Sequence, residues 1–389
     1  MHCQKDKFNL PEDISYINGA YMSPQMKVVE AAGLEMLRTQ NLPHLITTAD
    51  FFHPVDQLKQ AFARLIHTNE WERIALVPSV SYGIGNVANN ISLKPKEKII
   101  LLHEQFPSNV YPWIQLAEKS KAKIETIQPP ENFADRGRIW NERILEAIDD
   151  STAVVAMAHV HWTDGTKFDL KAIREKTRQH GALLVIDGTQ SVGAMPFNVN
   201  ELKPDALVCA GYKWLMGPYS LGLAYYGAQF DGGRPIEEHW LNRLNSEDFS
   251  GLVDYQPNYR LNANRFGVGE QSNFILVPML LAAIEQLLEW SPENIQQYCH
   301  KISKDTIIAL KALGLKMEDP EFHGHHLLGV QLTDAFDLAS LKLQFSKEKV
   351  LISYRGKAIR MSPNVYNDEG DFEKLLRCFK MAKKVDTMG

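Results

Sequence analysis

What most constrains this chain is a series of short, unbroken apolar runs with amphipathic stretches between them. They are Arg73–Val77 (RIALV), Lys98–Leu102 (KIILL), Lys123–Ile127 (KIETI), Ala153–Ala158 (AVVAMA), Ala182–Ile186 (ALLVI) and Ala206–Cys209 (ALVC), with Leu221–Tyr226 (LGLAYY) as a further candidate. A strand with one wet face alternates apolar with polar residues, whereas continuous runs suit strands buried on both faces. The clearest intervening helix is Asp169–His180, with Leu170 and Ile173 on one face, basic residues on the other and Gly181 as a stop. Alternation of this kind predicts an α/β chain with a mostly parallel sheet covered by helices on both sides.

The pattern changes after about residue 255. Long helices are predicted near Val277–Trp290 and Ile295–Leu313. A strand at Leu327–Leu332, a helix at Leu338–Phe345, strands near Val350–Ser353 and Ile359–Ser362 and a last helix over Phe372–Lys383 follow. This reads as a smaller α+β unit, with the polar stretch Gln256–Asn264 as the boundary. The expected organisation is a large domain of residues 20–255 and a small domain of residues 1–19 and 256–389.

Composition narrows the classes of function. Of 389 residues, 44% are hydrophobic and 23% charged, which excludes a disordered chain, and a net charge of −5 argues against a nucleic-acid partner. The longest apolar run, Phe274–Ile284, is eleven residues, against about twenty needed to span a bilayer. The start, MHCQKDKFNL, lacks the apolar region of a secretory signal. Cys3, Cys209, Cys299 and Cys378 form no CxxC pair and are too sparse for a disulfide scaffold. Together these features lead to the expectation of a cytoplasmic protein without membrane partners.

The chemistry concentrates in VIDGTQSVG and GYKWLMGP. Asp187 follows an apolar run and so falls at the carboxyl end of a buried strand, where ligands bind in open α/β sheets. Lys213 likewise follows a buried strand. A carboxylate and a lysine on neighbouring strand ends suit pyridoxal phosphate (PLP). The lysine would hold the cofactor as a Schiff base, and the carboxylate would keep the pyridine nitrogen protonated. Gln190 and Ser191 lie one turn from Asp187. The plain alternative is a buried ion pair between Asp187 and Lys213.

These two motifs, with YINGAYMSP near the start, resemble the class V aminotransferase family of PLP-dependent fold-type-I enzymes. That family also includes cysteine desulfurases, kynureninases and isopenicillin-N-epimerase-like proteins. The resemblance covers nearly the whole chain. It implies a large parallel-sheet domain, a small C-terminal domain and a homodimer with active sites at the interface. It further implies that Lys213 carries the cofactor, that Asp187 pairs with its ring nitrogen and that Gln190 lies near its phenolic oxygen. Ser79, Val80 and Ser81 in VPSVSYGIG match the phosphate loop, and Tyr212 matches a tyrosine that contacts phosphate. Phe106 in EQFPSNVYPW matches a phenylalanine that stacks on the ring. In ISYRGKAIRMSPNVYN, Arg360 matches the arginine that binds the α-carboxylate of a small amino-acid substrate, and Arg355 a neighbouring arginine of more variable role.

Some positions depart from the family pattern. Trp162 stands where an asparagine beside the ring is common, Ala210 where a serine is, and Glu270 where a threonine reaches the partner's phosphate, which leaves Gln271 or Ser272 for that contact. Between Arg355 and Arg360 there is no inserted loop bearing a cysteine, which argues against cysteine desulfurase activity. The expected reaction is transamination, with a lyase or epimerase as the alternative. A remoter reading is a metal-dependent hydrolase using His159 and His161 of HVHWTDG.

Overall fold

The computed structural model describes residues 1–131, 135–355 and 358–384. Thirteen strands occur among them: β1 (Ser15–Tyr16), β2 (Ile74–Val77), β3 (Lys98–Leu102), β4 (Lys123–Ile127), β5 (Thr152–Ala158), β6 (Leu183–Asp187), β7 (Ala206–Ala210), β8 (Gly222–Tyr226), β9 (Lys316–Met317), β10 (Leu328–Gln331), β11 (Val350–Leu351), β12 (Ser353–Arg355) and β13 (Ala358–Met361). Every predicted run of the first two thirds is a strand, and together they form one seven-stranded sheet in the order β2-β8-β7-β6-β5-β3-β4. Pairings from β7 through β6, β5 and β3 to β4 are parallel. Only β8 runs against its neighbours, β2 and β7.

The continuous runs are explained by two cores, one on each face. Leu76, Ile100, Val155, Leu184, Ile186 and Leu207 point to one, and Ala75, Val77, Ile99, Val154, Val185 and Val208 to the other. Successive residues face opposite ways along a strand, so both sets must be apolar when both faces are covered. The helix predicted from Asp169 is Leu170–Gln179. It is capped by Asp169, which accepts the Ala172 N–H, and followed by Gly181 at φ +68°.

β10, β12 and β13 join β9 in a four-stranded antiparallel sheet with its own core around Leu310, Val330, Leu341, Ile359 and Phe379. The predicted strand Val350–Ser353 divides at Ile352. Its first part pairs in parallel with β1, and its second turns into the β12–β13 hairpin. Leu276–Trp290 packs into the core of the large sheet through Val277, Leu280 and Ile284. The end of the polar stretch 256–264 and the segment after it are also tied down there: Lys59 donates to Asn264 at 2.7 Å, and the Val268 N–H reaches Leu76 O at 3.0 Å. No helix among the described residues is long and apolar enough to cross a membrane.

Candidate active site

The carboxyl ends of β2, β3, β5, β6 and β7 surround a cavity of about 220 Å³. Of the residues singled out by sequence, Ser79, Val80, Phe106, Trp162, Asp187, Gln190, Tyr212 and Lys213 line it. Ser81, Arg355 and Arg360 do not, and neither does Ser191. The Ser81 hydroxyl turns back onto Ser79 Oγ at 2.9 Å.

Asp187 ends β6 and is 6% exposed. Its carboxylate accepts the Thr189 N–H at 3.0 Å, an Asx turn that bends the chain immediately after the strand. Burial raises its pKa, and the Thr189 bonds and the charge of Lys213 offset only part of that. Thr189 also accepts the Ala210 N–H at 3.1 Å, which locks the loop after β6 to the end of β7. Gly193, at φ +99°, completes this junction. A Cβ there would lie 2.3 Å from Trp214 O, so only glycine lets the two loops approach so closely.

Lys213 is 6% exposed, and its ammonium lies 5.2 Å from the Phe106 ring centre and 5.6 Å from that of Tyr212. Burial lowers its pKa to about 8. Asp187 opposes that shift, while Arg360 and Arg355 add to it. A neutral amine is therefore populated near neutrality, as a nucleophile requires. The rate at which added PLP becomes attached to the apo-protein should rise about tenfold per pH unit below the amine's pKa and level off above it. Stopped-flow absorbance at about pH 6, 7 and 9 tests this, and a flat profile would contradict it.

Ser79 caps the helix Val80–Asn89, its hydroxyl accepting the Tyr82 N–H at 3.2 Å. The residues that open this helix, Ser79 and Val80, line the cavity, and a helix start is suited to an anion. Phe106 meets Trp162 edge-on at 5.4 Å. Gln190 is held on every side: its amide accepts from Trp214 Nε1 at 2.9 Å and donates to Ala20 O at 3.2 Å. Its backbone carbonyl accepts from His326 Nε2 at 2.8 Å. Burial lowers the His326 pKa to about 4, so it stays the neutral donor.

Arg360, on β13, is 1% exposed. It donates through Nη1 to Trp162 O at 2.5 Å and through Nη2 to Ser353 Oγ at 3.5 Å, and its Nε has no acceptor. Arg355, on β12, donates to Tyr354 O at 2.7 Å, and its guanidinium lies 5.5 Å from the Trp162 ring centre. Both arginines therefore stand behind Trp162 at the cavity's edge.

The histidines of HVHWTDG do not converge as metal ligands. His161 borders the cavity, but its ring is bound to Thr163 Oγ1 at 2.8 Å and His103 O at 3.0 Å. His159 instead packs on Phe197 at 5.7 Å and is held neutral by burial, with its pKa lowered to about 3. Among the described residues no group of three or more His, Cys, Asp or Glu side chains could hold a metal ion.

This donor set fits PLP. It offers a buried amine for an aldehyde, a buried carboxylate for a ring nitrogen, a helix start for a phosphate and aromatic and aliphatic lining from Phe106, Ala158 and Val160. Fold and site together define the fold-type-I class of PLP-dependent proteins. The chain belongs to the Aminotransferase class-V family, whose family model matches residues 27–358. An "Uncharacterized aminotransferase YcbU" of Bacillus subtilis is 27% identical over 311 residues, covering 79% of this chain and 78% of the relative. A "Probable cysteine desulfurase" of Halalkalibacterium halodurans is 25% identical over 279 residues, covering 68% of this chain and 63% of the relative. Among solved structures, a C-DES mutant with glycine covalently linked to the PLP cofactor superimposes with a TM-score of 0.84 at 17% identity, over 97% of this chain and 99% of that one.

One expectation is corrected by these relatives. The missing cysteine between Arg355 and Arg360 does not argue against cysteine desulfurase activity, because a protein named a probable cysteine desulfurase is similar over two thirds of the chain. The physical reason is that a thiol on this hairpin would only accept sulfur. Lys213 and Asp187, which would hold a PLP cofactor, do not depend on such a thiol.

Proposed function

We propose that this chain is a PLP-dependent enzyme acting on the amino group of a small amino acid, with transamination as its reaction. The observation that carries the reading is the meeting of Lys213 and Asp187 at one cavity beside the start of the helix Val80–Asn89. PLP, when bound, supplies an electron sink for the bonds at the substrate's α-carbon. Lys213 would hold the cofactor and carry a proton to and from that carbon. Asp187 would keep the ring nitrogen protonated, and Gln190 would lie beside the phenolic oxygen. Ser79, Val80 and Tyr212 would take the phosphate, with Ser81 holding the Ser79 hydroxyl, Phe106 and Trp162 would flank the ring, and Arg360 with Arg355 would orient the substrate from behind Trp162.

A second reading, release of sulfur from cysteine, is favoured by the relative named a probable cysteine desulfurase. Single-turnover reactions with alanine, aspartate, glutamate and cysteine separate the two. The expected result is one equivalent of 2-oxo acid from one of these amino acids. Sulfide from cysteine would select the second reading, and no product from any of them would refute the proposed class of substrate. The chain is also proposed to pair with a second copy. Tyr219 at the cavity rim and Val253, Tyr255 and Leu261 are exposed apolar groups that such pairing would cover. A PLP-loaded, active monomer in light scattering would exclude it.

A further inference from the structure

We propose that the substrate is an α-amino acid whose side chain ends in a second carboxylate, with Arg360 taking the α-carboxylate and Arg355 the distal one. This rests on reading the cavity as an amino-acid site. The register of the β12–β13 hairpin carries the inference. Ser353 lies opposite Arg360, and Arg355 opposite Ala358. Opposed residues share a face, and so do residues two apart along a strand. Arg355 and Arg360 therefore project from the same face as diagonal neighbours, about 7–8 Å apart at the backbone.

Both also converge on Trp162, Arg360 through the backbone carbonyl and Arg355 over the ring. Each has a buried Nε with no acceptor. Among the described residues neither forms an ion pair with a carboxylate, although Arg360 is almost fully buried. Arg355 worsens the burial of Arg360, whose pKa falls to about 9. Two guanidinium groups behind Trp162 at the edge of the cavity leave positive charge that a single carboxylate does not balance. Asp187, the carboxylate on the cavity wall, is committed to the ring nitrogen in this reading. A diacid supplies one carboxylate for each fork, and arginine suits this because its planar donors match a carboxylate in pairs.

The test uses ligands that bind without reacting. Calorimetry of the PLP-loaded protein with succinate and glutarate is compared with butyrate and valerate, none of which has an amine. A diacid should bind roughly ten- to a hundredfold more tightly than the matching monoacid. Arg355→Gln should reduce that advantage to within about threefold while changing butyrate affinity by less than about threefold, and Arg360→Gln should weaken every ligand by about tenfold or more. Arg360→Lys, which keeps the charge, serves if the glutamine variant does not fold. Equal affinity for succinate and butyrate, with butyrate still sensitive to Arg360, would overturn the diacid inference alone. So would a diacid advantage that survives Arg355→Gln. Butyrate binding indifferent to both Arg360 variants would instead overturn the amino-acid reading of the site.

Discussion

Lys213→Ala is expected to lower kcat by at least about 10⁴-fold, the upper range for loss of a general acid–base group, because the covalent anchor is lost with it. Fold stability should change little. The amine makes no ion pair among the described residues, and removing it relieves the burial that lowers its pKa to about 8. PLP should still bind, since the helix start at Ser79 and the carboxylate of Asp187 remain, but it should dialyse away. Steady-state assays and dialysis followed by absorbance check both parts. A variant that keeps more than about a tenth of wild-type turnover would assign the chemistry to another lysine.

Asp187→Asn should have the next largest effect, about 10²–10³-fold in kcat, comparable to removing one preorganised charge-stabilising group. The carboxylate is almost fully buried, and Thr189 holds it in place at the end of β6, its N–H donating to Oδ1. Its pKa stands above the ordinary aspartate value because burial disfavours the charge. A pyridinium opposite it would restore the charged form, since an opposite charge lowers a carboxyl pKa. Asparagine keeps the shape and the Thr189 turn but cannot hold that proton. Melting temperature should therefore hold while turnover falls. Loss of folding together with turnover would mark Asp187 as a structural residue.

The large sheet was legible because burial on both faces leaves no polar positions in a strand, so the runs stand out by length alone. Asp187 and Lys213 were legible because each follows such a run, and strand ends in open α/β sheets are where ligands sit. Thr189 was missed although its signal is local: a threonine two residues after a buried aspartate forms the Asx turn. His326 could not have been found from spacing, because its partner is the backbone of Gln190, more than a hundred residues away. β1 is two residues long and carries no periodicity, so its pairing with β11 had no sequence signature. The arginines were recognised by type. Their shared face and placement behind Trp162 come from hairpin register, which one sequence does not state.

The most direct test of the central claim is borohydride reduction of the PLP-loaded protein, followed by proteolysis and mass mapping. The site predicts a single pyridoxyl-phosphate adduct on the peptide containing Tyr212, Lys213 and Trp214. An adduct on any other lysine, or none after loading, would contradict the assignment of Lys213 as the residue that carries the cofactor.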